Sequence, residues 1–312
     1  MTMGERGEKV KGRVLLLGGP TATGKSALAV ELAMALGGEV VNADSLLLYR
    51  HLDIGTAKPS REERKGVAHH LIDILDLHQE FDAYRYAREA SRIIEEIWAR
   101  GHLPIVVGGT GFYMKALYHG LPPRVGKDPR FRQRLLEEEE RSPGTLHARL
   151  RGIDPQAASR IHPRDRVRMV RALEIHHMTG RPPSVVWKEE KPPLKGSFLK
   201  IALYLPRQEL YARINARVID MVHRGLVEET RRVLEMGYPP HLKPLQSIGY
   251  REAVLYLQGR ISQGEMVSQI QRKTRNYAKR QMTWFKKEAF LWFLPQSREI
   301  LEKVARWIEG KD

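Results

Sequence analysis

This 312-residue chain has no cysteine, and it is short of acids: 37 Asp and Glu stand against 53 Lys and Arg, a net charge of +16. The missing thiols exclude disulfides, thiolate zinc sites, iron–sulfur clusters and a Cys nucleophile. Long apolar runs are missing too. After the polar start MTMGERGEKVKGR comes only the short run Val14–Leu17. A signal peptide needs a longer apolar core and a membrane helix about 20 such residues, so a cytoplasmic protein is expected. The twelve histidines form no HExxH or paired spacing; His69-His70 and His176-His177 read as capping or surface residues, with no metal assigned. The excess of positive charge suggests a polyanionic partner, most often nucleic acid. A basic enzyme without such a partner is the plain alternative.

Hydrophobic residues make up 42% of the chain and charged residues 29%, an ordinary globular balance. Val14–Leu17 reads as a buried strand and Lys25–Leu36 as a helix with Leu28, Leu32 and Leu36 on one face, closed by Gly37-Gly38. Glu39–Ala43 reads as a strand, Ala83–Arg100 as an amphipathic helix, and Leu103–Val107 as a strand ending in Gly108-Gly109. This alternation predicts a parallel α/β sheet flanked by helices, and the phosphate-loop motif at Gly19–Ser26 makes the expected fold P-loop NTPase-like.

Pro122-Pro123, Pro182-Pro183 and Pro192-Pro193 bracket a stretch with helical patterns and no convincing strand. Residues 121–195 are therefore expected to form a helical insertion domain, with 17 Lys and Arg against 10 Asp and Glu. Residues 1–120 and 196–312 would form the core. Within the insertion, Glu137–Glu140 reads as a solvated helix face. Phe198–Leu205 reads as a strand returning to the sheet, and Ser262–Lys287 as a long basic helix.

Gly19-Pro20-Thr21-Ala22-Thr23-Gly24-Lys25-Ser26 fits G-x-x-x-x-G-K-[ST] between a strand and a helix. Glycines let backbone N–H groups curl round phosphate at a helix N-terminus; Lys25 adds charge, and the Ser26 hydroxyl suits Mg²⁺. The motif specifies an oligophosphate, not which one. Asp44, at the end of the second strand, would face that ligand. A carboxylate there can take a proton or bind Mg²⁺ indirectly; capping a following helix is equally open. Gly108-Gly109-Thr110-Gly111 stands where many P-loop NTPases carry a metal-holding acid. That argues against hydrolysis of a terminal phosphate, although a tight strand–helix turn would read the same.

Two basic stretches stand out, Pro163–Arg171 and Met266–Lys287. The second has Arg272, Lys273, Arg275, Lys279, Arg280, Lys286 and Lys287 with no acid, and Ile270, Tyr277 and Trp284 recur every seven residues as an inward stripe. A solvated charge run usually mixes signs, so contact with RNA or DNA is favoured.

Taken together, these motifs resemble the tRNA dimethylallyltransferases, also called tRNA isopentenyltransferases, in their bacterial form. The pieces are GPTATGKS (19–26), ADSLLLYRHLDIGTAKP (43–59), GGTGFYMKAL (108–117), IHPRDRVRMVRALE (161–174), QSIGYRE (246–252) and TRNYAKRQMTWFKK (274–287). The resemblance implies transfer of a dimethylallyl group from dimethylallyl diphosphate to the exocyclic N6 amine of the adenosine 3′ of the anticodon. It implies that Gly19–Ser26 hold the diphosphate, with Mg²⁺ on Ser26. Asp44 would be the general base, and Thr110 would lie near acceptor base and leaving group. Arg213 and Arg217 match a pattern that could clamp diphosphate, either one being the clamp. The implied tRNA contacts are Asp44, Ser45, Leu46, Leu47, Thr110 and Arg132; Val167, Arg168, Met169, Val170 and Arg171; and Gln246, Ser247, Ile248, Gly249, Tyr250 and Arg251. They continue through Lys279, Arg280, Gln281, Met282, Thr283, Trp284, Phe285 and Lys286. Many members carry Gln where Leu47 and Val167 stand. The eukaryotic zinc finger is missing, as a cysteine-free chain requires. A monomer acting on the anticodon stem-loop, without a membrane, is expected. The rival readings are an adenylate isopentenyltransferase using a free nucleotide, a P-loop small-molecule kinase, and a non-catalytic RNA-binding protein. The basic insertion, the missing strand-end acid, and intact Lys25, Ser26 and Asp44 speak against them in turn.

Overall fold

The computed structural model describes residues 8–189, 191–295 and 298–311. The first seven residues of the polar N-terminal stretch lie outside them. The chain divides into two compact units, Met1–Tyr118 with Leu194–Asp312, and His119–Pro193.

The first unit is built on a parallel sheet of six strands: β1 (Arg13–Gly18), β2 (Gly38–Asn42), β3 (His69–His70), β4 (Leu103–Val107), β5 (Ser197–Leu203) and β6 (Leu291–Phe293). Their order is β3-β2-β4-β1-β5-β6. In β1, Val14 to Leu17 have no exposed surface, and β4 is buried along its length. Continuous apolar runs of this kind suit a parallel sheet covered on both faces. One face packs on α1 (Lys25–Leu36) through Ala29, Leu32 and Ala33, and on the C-terminal helix Glu299–Ile308 through Ile300, Val304 and Ile308. Gly37, left-handed at φ 64°, ends α1 as a glycine there should. The side chains that alternate with this face, Val14, Leu16, Val41 and Val106, are equally buried. Helices α2 (Ala83–Ala99) and α3 (Gly111–Tyr118) pack against each other, and α2 also lies on β2 and β4.

Two strands escape the sequence reading. β3 has two residues and β6 three, too short to show a period. His69-His70 are thus not capping or surface residues but a half-buried edge strand, with His70 Nε2 2.6 Å from Glu39 Oε2. The returning strand stops at Leu203, and Leu205 turns into a small core with Leu210, Ile214 and Ala278.

The second unit is built mainly of helices: α4 (Pro129–Arg141), α5 (Thr145–Ile153), α6 (Pro155–Arg160), α7 (Arg166–Thr179) and α8 (Pro183–Val186), with one isolated antiparallel bridge between Leu121 and Lys191. Phe131, Leu135, Leu146, Leu150, Met169 and Leu173 are among its core. Buried acids tie its loops. Asp154 caps α6 at Ala157 N–H (2.9 Å) and accepts both the N–H and hydroxyl of Ser184. Glu139 is 4% exposed and accepts Gly144 and Leu146 N–H, so the run Glu137–Glu140 is not wholly a solvated face.

The first unit continues after β5 with α9 (Arg207–His223), α10 (Leu226–Glu235), α11 (Tyr250–Leu257), α12 (Gln263–Lys286) and α13 (Glu299–Ile308). Ser262 and Glu265 form a capping box at the start of α12. No helix among the described residues is long and apolar enough to cross a membrane.

Candidate active site

Three loops meet beyond the carboxyl ends of β1, β2 and β4, neighbours in the order β2-β4-β1. The first, after β1, is the phosphate cradle. Gly19 is left-handed (φ 124°), and a Cβ there would lie 2.5 Å from Leu203 O, so only glycine fits. Gly24 (φ 87°) turns the chain into α1, and Ala22 holds a left-handed φ of 66° that costs a residue with a Cβ roughly 1 kcal/mol. Pro20 O accepts the Thr23 hydroxyl at 2.9 Å and the Lys25 ammonium at 2.6 Å. The loop is thus preformed, with the first-turn N–H groups of α1 at its centre.

The second loop, after β2, carries Asp44. Asn42 holds it from both sides: Oδ1 accepts Asp44 N–H (2.8 Å) and Nδ2 donates to Asp44 O (2.9 Å). Asp44 Oδ1 accepts Leu46 N–H at 3.0 Å, a local Asx turn. The next helix begins only at Ala83, which removes the helix-cap alternative for Asp44. The third loop, after β4, brings Thr110 to the same place: its Oγ1 accepts Ser45 N–H at 3.2 Å, and its N–H donates to Ala43 O at 3.1 Å.

Two cavities open on these loops. One, of about 480 Å³, is lined by Gly24, Lys25, Ser26, Leu47, Gly108 and Arg217, among others. The other, of about 410 Å³, is lined by Ser45, Leu46, Tyr113, Gln246, Ser247 and Tyr277, among others. Thr21, Ala22, Asp44, Thr56, Arg217 and Met221 line both. Asp44 therefore stands where the two spaces meet. Burial pushes its carboxyl up, against the opposing pull of Leu46 N–H, Lys25 and Arg217. Burial, helped by Arg217 and opposed by Asp44, draws the Lys25 ammonium down to about 7. Burial also lowers Arg217. The site is a partly desolvated cluster of two cations and one anion, the setting in which an added polyanion is held strongly.

The structure separates the two arginines of α9. Arg217 lines both cavities, whereas Arg213 is half-exposed and paired with Glu209 at 2.8 Å. Ser26 lines the larger cavity beside Lys25. Among the described residues no three His, Asp or Glu side chains gather as a metal site. A lone hydroxyl beside a phosphate cradle suits Mg²⁺, which keeps waters and takes its remaining ligands from phosphate oxygens.

Among the expected RNA contacts, several residues turn inward. On α12, Lys279, Arg280, Thr283 and Lys286 are exposed, and Met282 is partly so. Phe285 is fully buried, its ring standing where a Cβ on Gly18 would come within 2.2 Å; Trp284 sits equally close to Gly111. Gln281 is 5% exposed, its amide bonded to Thr21 N–H and Gly109 O, both at 3.0 Å. The glycines after β4 are therefore more than a tight turn. They let a helix approach. The inward stripe also differs from the heptad reading: Met266, Ile270, Ala278, Gln281 and Phe285 form the buried face, with Tyr277 and Trp284 at its margin.

Tyr250 is likewise without exposed surface and donates its hydroxyl to Glu229 (2.6 Å). Glu229 also accepts the N–H groups of Asp53 (3.0 Å), Ile54 (2.9 Å) and Gly55 (3.2 Å). It thereby fixes a wall of the smaller cavity, which Gly55, Thr56, Ile248 and Gly249 line. No sequence motif marked Glu229. Arg251, next to Tyr250, is exposed.

In the helical unit, Val167 is 81% exposed and Arg168 points outward, held by Asp165 at 3.4 Å. Met169 and Val170 are core residues, not surface contacts. Arg171 donates to Val125 O and Gly126 O, both at 2.9 Å, and also binds Glu174. Arg132 grips the same carboxylate at 2.6 Å. Burial would raise Glu174, but Arg132, Asp128 N–H and Arg171 hold it near 2. Arg132 and Arg171 are thus half-buried structural cations.

Among known proteins, the family model described as IPP transferase matches residues 47–288. A tRNA dimethylallyltransferase of Syntrophobacter fumaroxidans is 49% identical over 298 residues, covering 94% of this chain and 86% of the relative. The solved full-length tRNA isopentenylpyrophosphate transferase of Bacillus halodurans is similar at TM-score 0.71 and 38% identity, with 96% of both chains covered. A eukaryotic dimethylallyltransferase acting on tRNA is similar at TM-score 0.81 and 30% identity, covering 96% of this chain and 80% of that one.

Proposed function

The chain belongs to the IPP transferase family, and from that premise we propose that it transfers a dimethylallyl group from dimethylallyl diphosphate to the N6 amine of the adenosine 3′ of the anticodon in tRNA. The observation that carries this reading is the position of Asp44, shared by a cavity with a phosphate cradle and a second cavity walled by Tyr113, Tyr277 and the turn Gln246–Gly249.

The donor's diphosphate rests on the N–H groups of the Gly19–Ser26 loop, with Lys25 and Arg217 as counter-charges. The adenine enters from the other cavity. The amine nitrogen forms a bond to the allylic carbon as the carbon–oxygen bond to diphosphate breaks. The amine proton passes to Asp44, whose raised carboxyl is suited to take it. Diphosphate leaves with its electron pair, stabilised by cations already in place. The Thr110 hydroxyl, tied to Ser45 N–H, keeps the Asp44 loop in register with the end of β4. Mg²⁺, held by Ser26 and the diphosphate oxygens, would add positive charge at the leaving group.

Two faces are candidates for gripping tRNA, each on its own unit. One is the outer side of α12, with Arg272, Lys279, Arg280 and Lys286. The other is the start of α7, with Arg166, Val167 and Arg168; both carry exposed cations. Clusters of exposed cations such as these suit a phosphate backbone, and no acid stands between Arg272 and Lys286 on the first of them. The protein acts in the cytoplasm as a monomer, which sedimentation with and without tRNA checks.

The test is incubation with Mg²⁺, labelled dimethylallyl diphosphate and either tRNA or free AMP. Label should enter tRNA alone. Label entering AMP instead would make the protein an adenylate isopentenyltransferase, and label entering neither would remove the reading.

A further inference from the structure

Gln281 lies on the helix whose outer face carries Lys279, Arg280 and Lys286, yet its own side chain is buried and points at the donor loop. Its amide uses both ends. Oε1 accepts the N–H of Thr21, inside the phosphate cradle, and Nε2 donates to the carbonyl of Gly109, at the end of β4. One turn earlier, the Tyr277 hydroxyl lies near both Gln281 and Thr110. Gly109 is shaped for the amide, since a Cβ there would lie 2.1 Å from Nε2. Trp284 and Phe285 seat the following turn on Gly111 and Gly18 by the same close approach. The helix is therefore keyed at three glycines to the loops that hold the reacting groups.

A buried glutamine with satisfied bonds can be mere packing. Two features argue for more. Both partners are backbone atoms of active-site loops rather than of the core. They also belong to separate loops, one holding the donor and one leading to Thr110, so a single side chain of α12 joins the two. A small shift of α12 must move both loops or break the two hydrogen bonds.

We propose that Gln281 is a positioning residue that couples RNA bound on the outer face of α12 to the shape of the phosphate cradle, so that each substrate tightens the binding of the other. This rests on the reading of the chain as a tRNA prenyltransferase. Coupling between sites is reciprocal: a donor that sets the Thr21 N–H sets Gln281, and hence the helix, while tRNA on the helix does the reverse. Gln281 also lines the larger cavity, and the coupling runs through its two backbone partners, Thr21 N–H and Gly109 O.

The experiment measures tRNA affinity with and without a non-reacting thiolodiphosphate analogue of dimethylallyl diphosphate. The wild-type protein is compared with Gln281→Met, nearly isosteric but without either hydrogen bond. In the wild type the analogue should tighten tRNA binding several-fold. In Gln281→Met that tightening should vanish, donor KM should rise about tenfold to a hundredfold, the loss typical of two buried polar groups left unpaired, and tRNA affinity without analogue should stay within about twofold. Gln281→Asn, which keeps the amide but cannot span both loops, should behave alike and serves if the Met variant fails to fold. Loss of thermal stability with donor KM and coupling unchanged would overturn the proposal and leave Gln281 a packing residue. So would a wild-type protein that labels tRNA yet shows no coupling. A wild-type protein that labels no tRNA would instead remove the functional reading itself.

Discussion

Asp44 has no freedom to wander: Asn42 holds its backbone from two sides and Leu46 N–H fixes one carboxylate oxygen. What remains is the second oxygen, Oδ2, which lies 3.9 Å from where a Cβ on Gly109 would stand. Asp44→Asn keeps the size and the Asx turn, so the fold should persist while the proton acceptor is lost. Turnover should fall roughly 10²-fold or more, the usual contribution of a general base, with tRNA affinity little changed. Single-turnover transfer assays beside filter binding check this, and near-normal turnover would strip Asp44 of the role. At this scale the sequence is informative where chemistry demands a rare pattern. The cradle at Gly19–Ser26 and the acid at the end of β2 were legible for that reason. Arg213 against Arg217 was not, because four residues on a helix bring both to one side, and only the Glu209 pair and the cavity wall separate them. Gln281 and Glu229 were not, because their partners are backbone N–H and carbonyl groups, which leave no trace in side-chain spacing.

Elements show the same contrast. β1, β4, α1 and α12 announce themselves by long apolar or periodic runs, whereas β3 and β6 exist only through their neighbours β2 and β5. On α12, charge told which helix could meet RNA, but not which of its residues turn inward; that was decided by Gly18, Gly109 and Gly111 admitting Phe285, Gln281 and Trp284. The outward pair Lys279 and Arg280 should therefore carry the electrostatics. Replacing both by Ala should weaken tRNA binding and flatten its log–log salt dependence by roughly 0.7–0.9 per lost phosphate contact, leaving donor affinity measured without tRNA unchanged. A salt titration showing the wild-type slope would return the helix to a solvated face. The end of β4 carries a second prediction. Hydrolysis of a terminal phosphate needs a metal-holding acid near the cradle, and here Gly108, Gly109 and Thr110 fill that place. ATP should compete weakly with the donor through its phosphates without being consumed. Phosphate release from ATP, measured with and without tRNA, should stay at background; rapid release stimulated by tRNA, without prenyl incorporation, would favour an RNA-dependent ATPase.

Across the whole molecule, the parallel sheet separates chemistry from stability. All strands run one way, so the reacting loops gather at their carboxyl ends, while Glu39, near the start of β2, lies toward the other end. Its carboxylate is 7% exposed and meets Arg100 at 2.8 Å, His70 at 2.6 Å and His102 at 2.7 Å, tying β2 to β3 and to the turn before β4. Burial alone would raise its pKa, but the hydrogen bonds from Arg100, His102 and His70 outweigh this and hold it down to about 2. A carboxylate held below its unfolded value stabilises the fold fully above the unfolded value of about 4.5 and loses that contribution as pH falls toward 2. Each tenfold gain in acidity on folding is worth about 1.4 kcal/mol. Water reaches the half-exposed cations of the cluster and screens part of this, which leaves a contribution on the order of 1–3 kcal/mol. Glu39→Gln should therefore lower the melting temperature at neutral pH and shrink the loss of stability between pH 4.5 and 2. Transfer activity measured well below the melting point should be preserved, because Arg100, His70 and His102 all lie outside the cradle and the Asp44 loop. Thermal melts across that pH range, set beside transfer assays at pH 7, decide the matter. A melting curve with the same acid dependence as the wild type would mean the ion cluster adds nothing to the fold. A loss of activity without loss of stability would mean that β2 transmits strain from Glu39 to Asp44, five residues along.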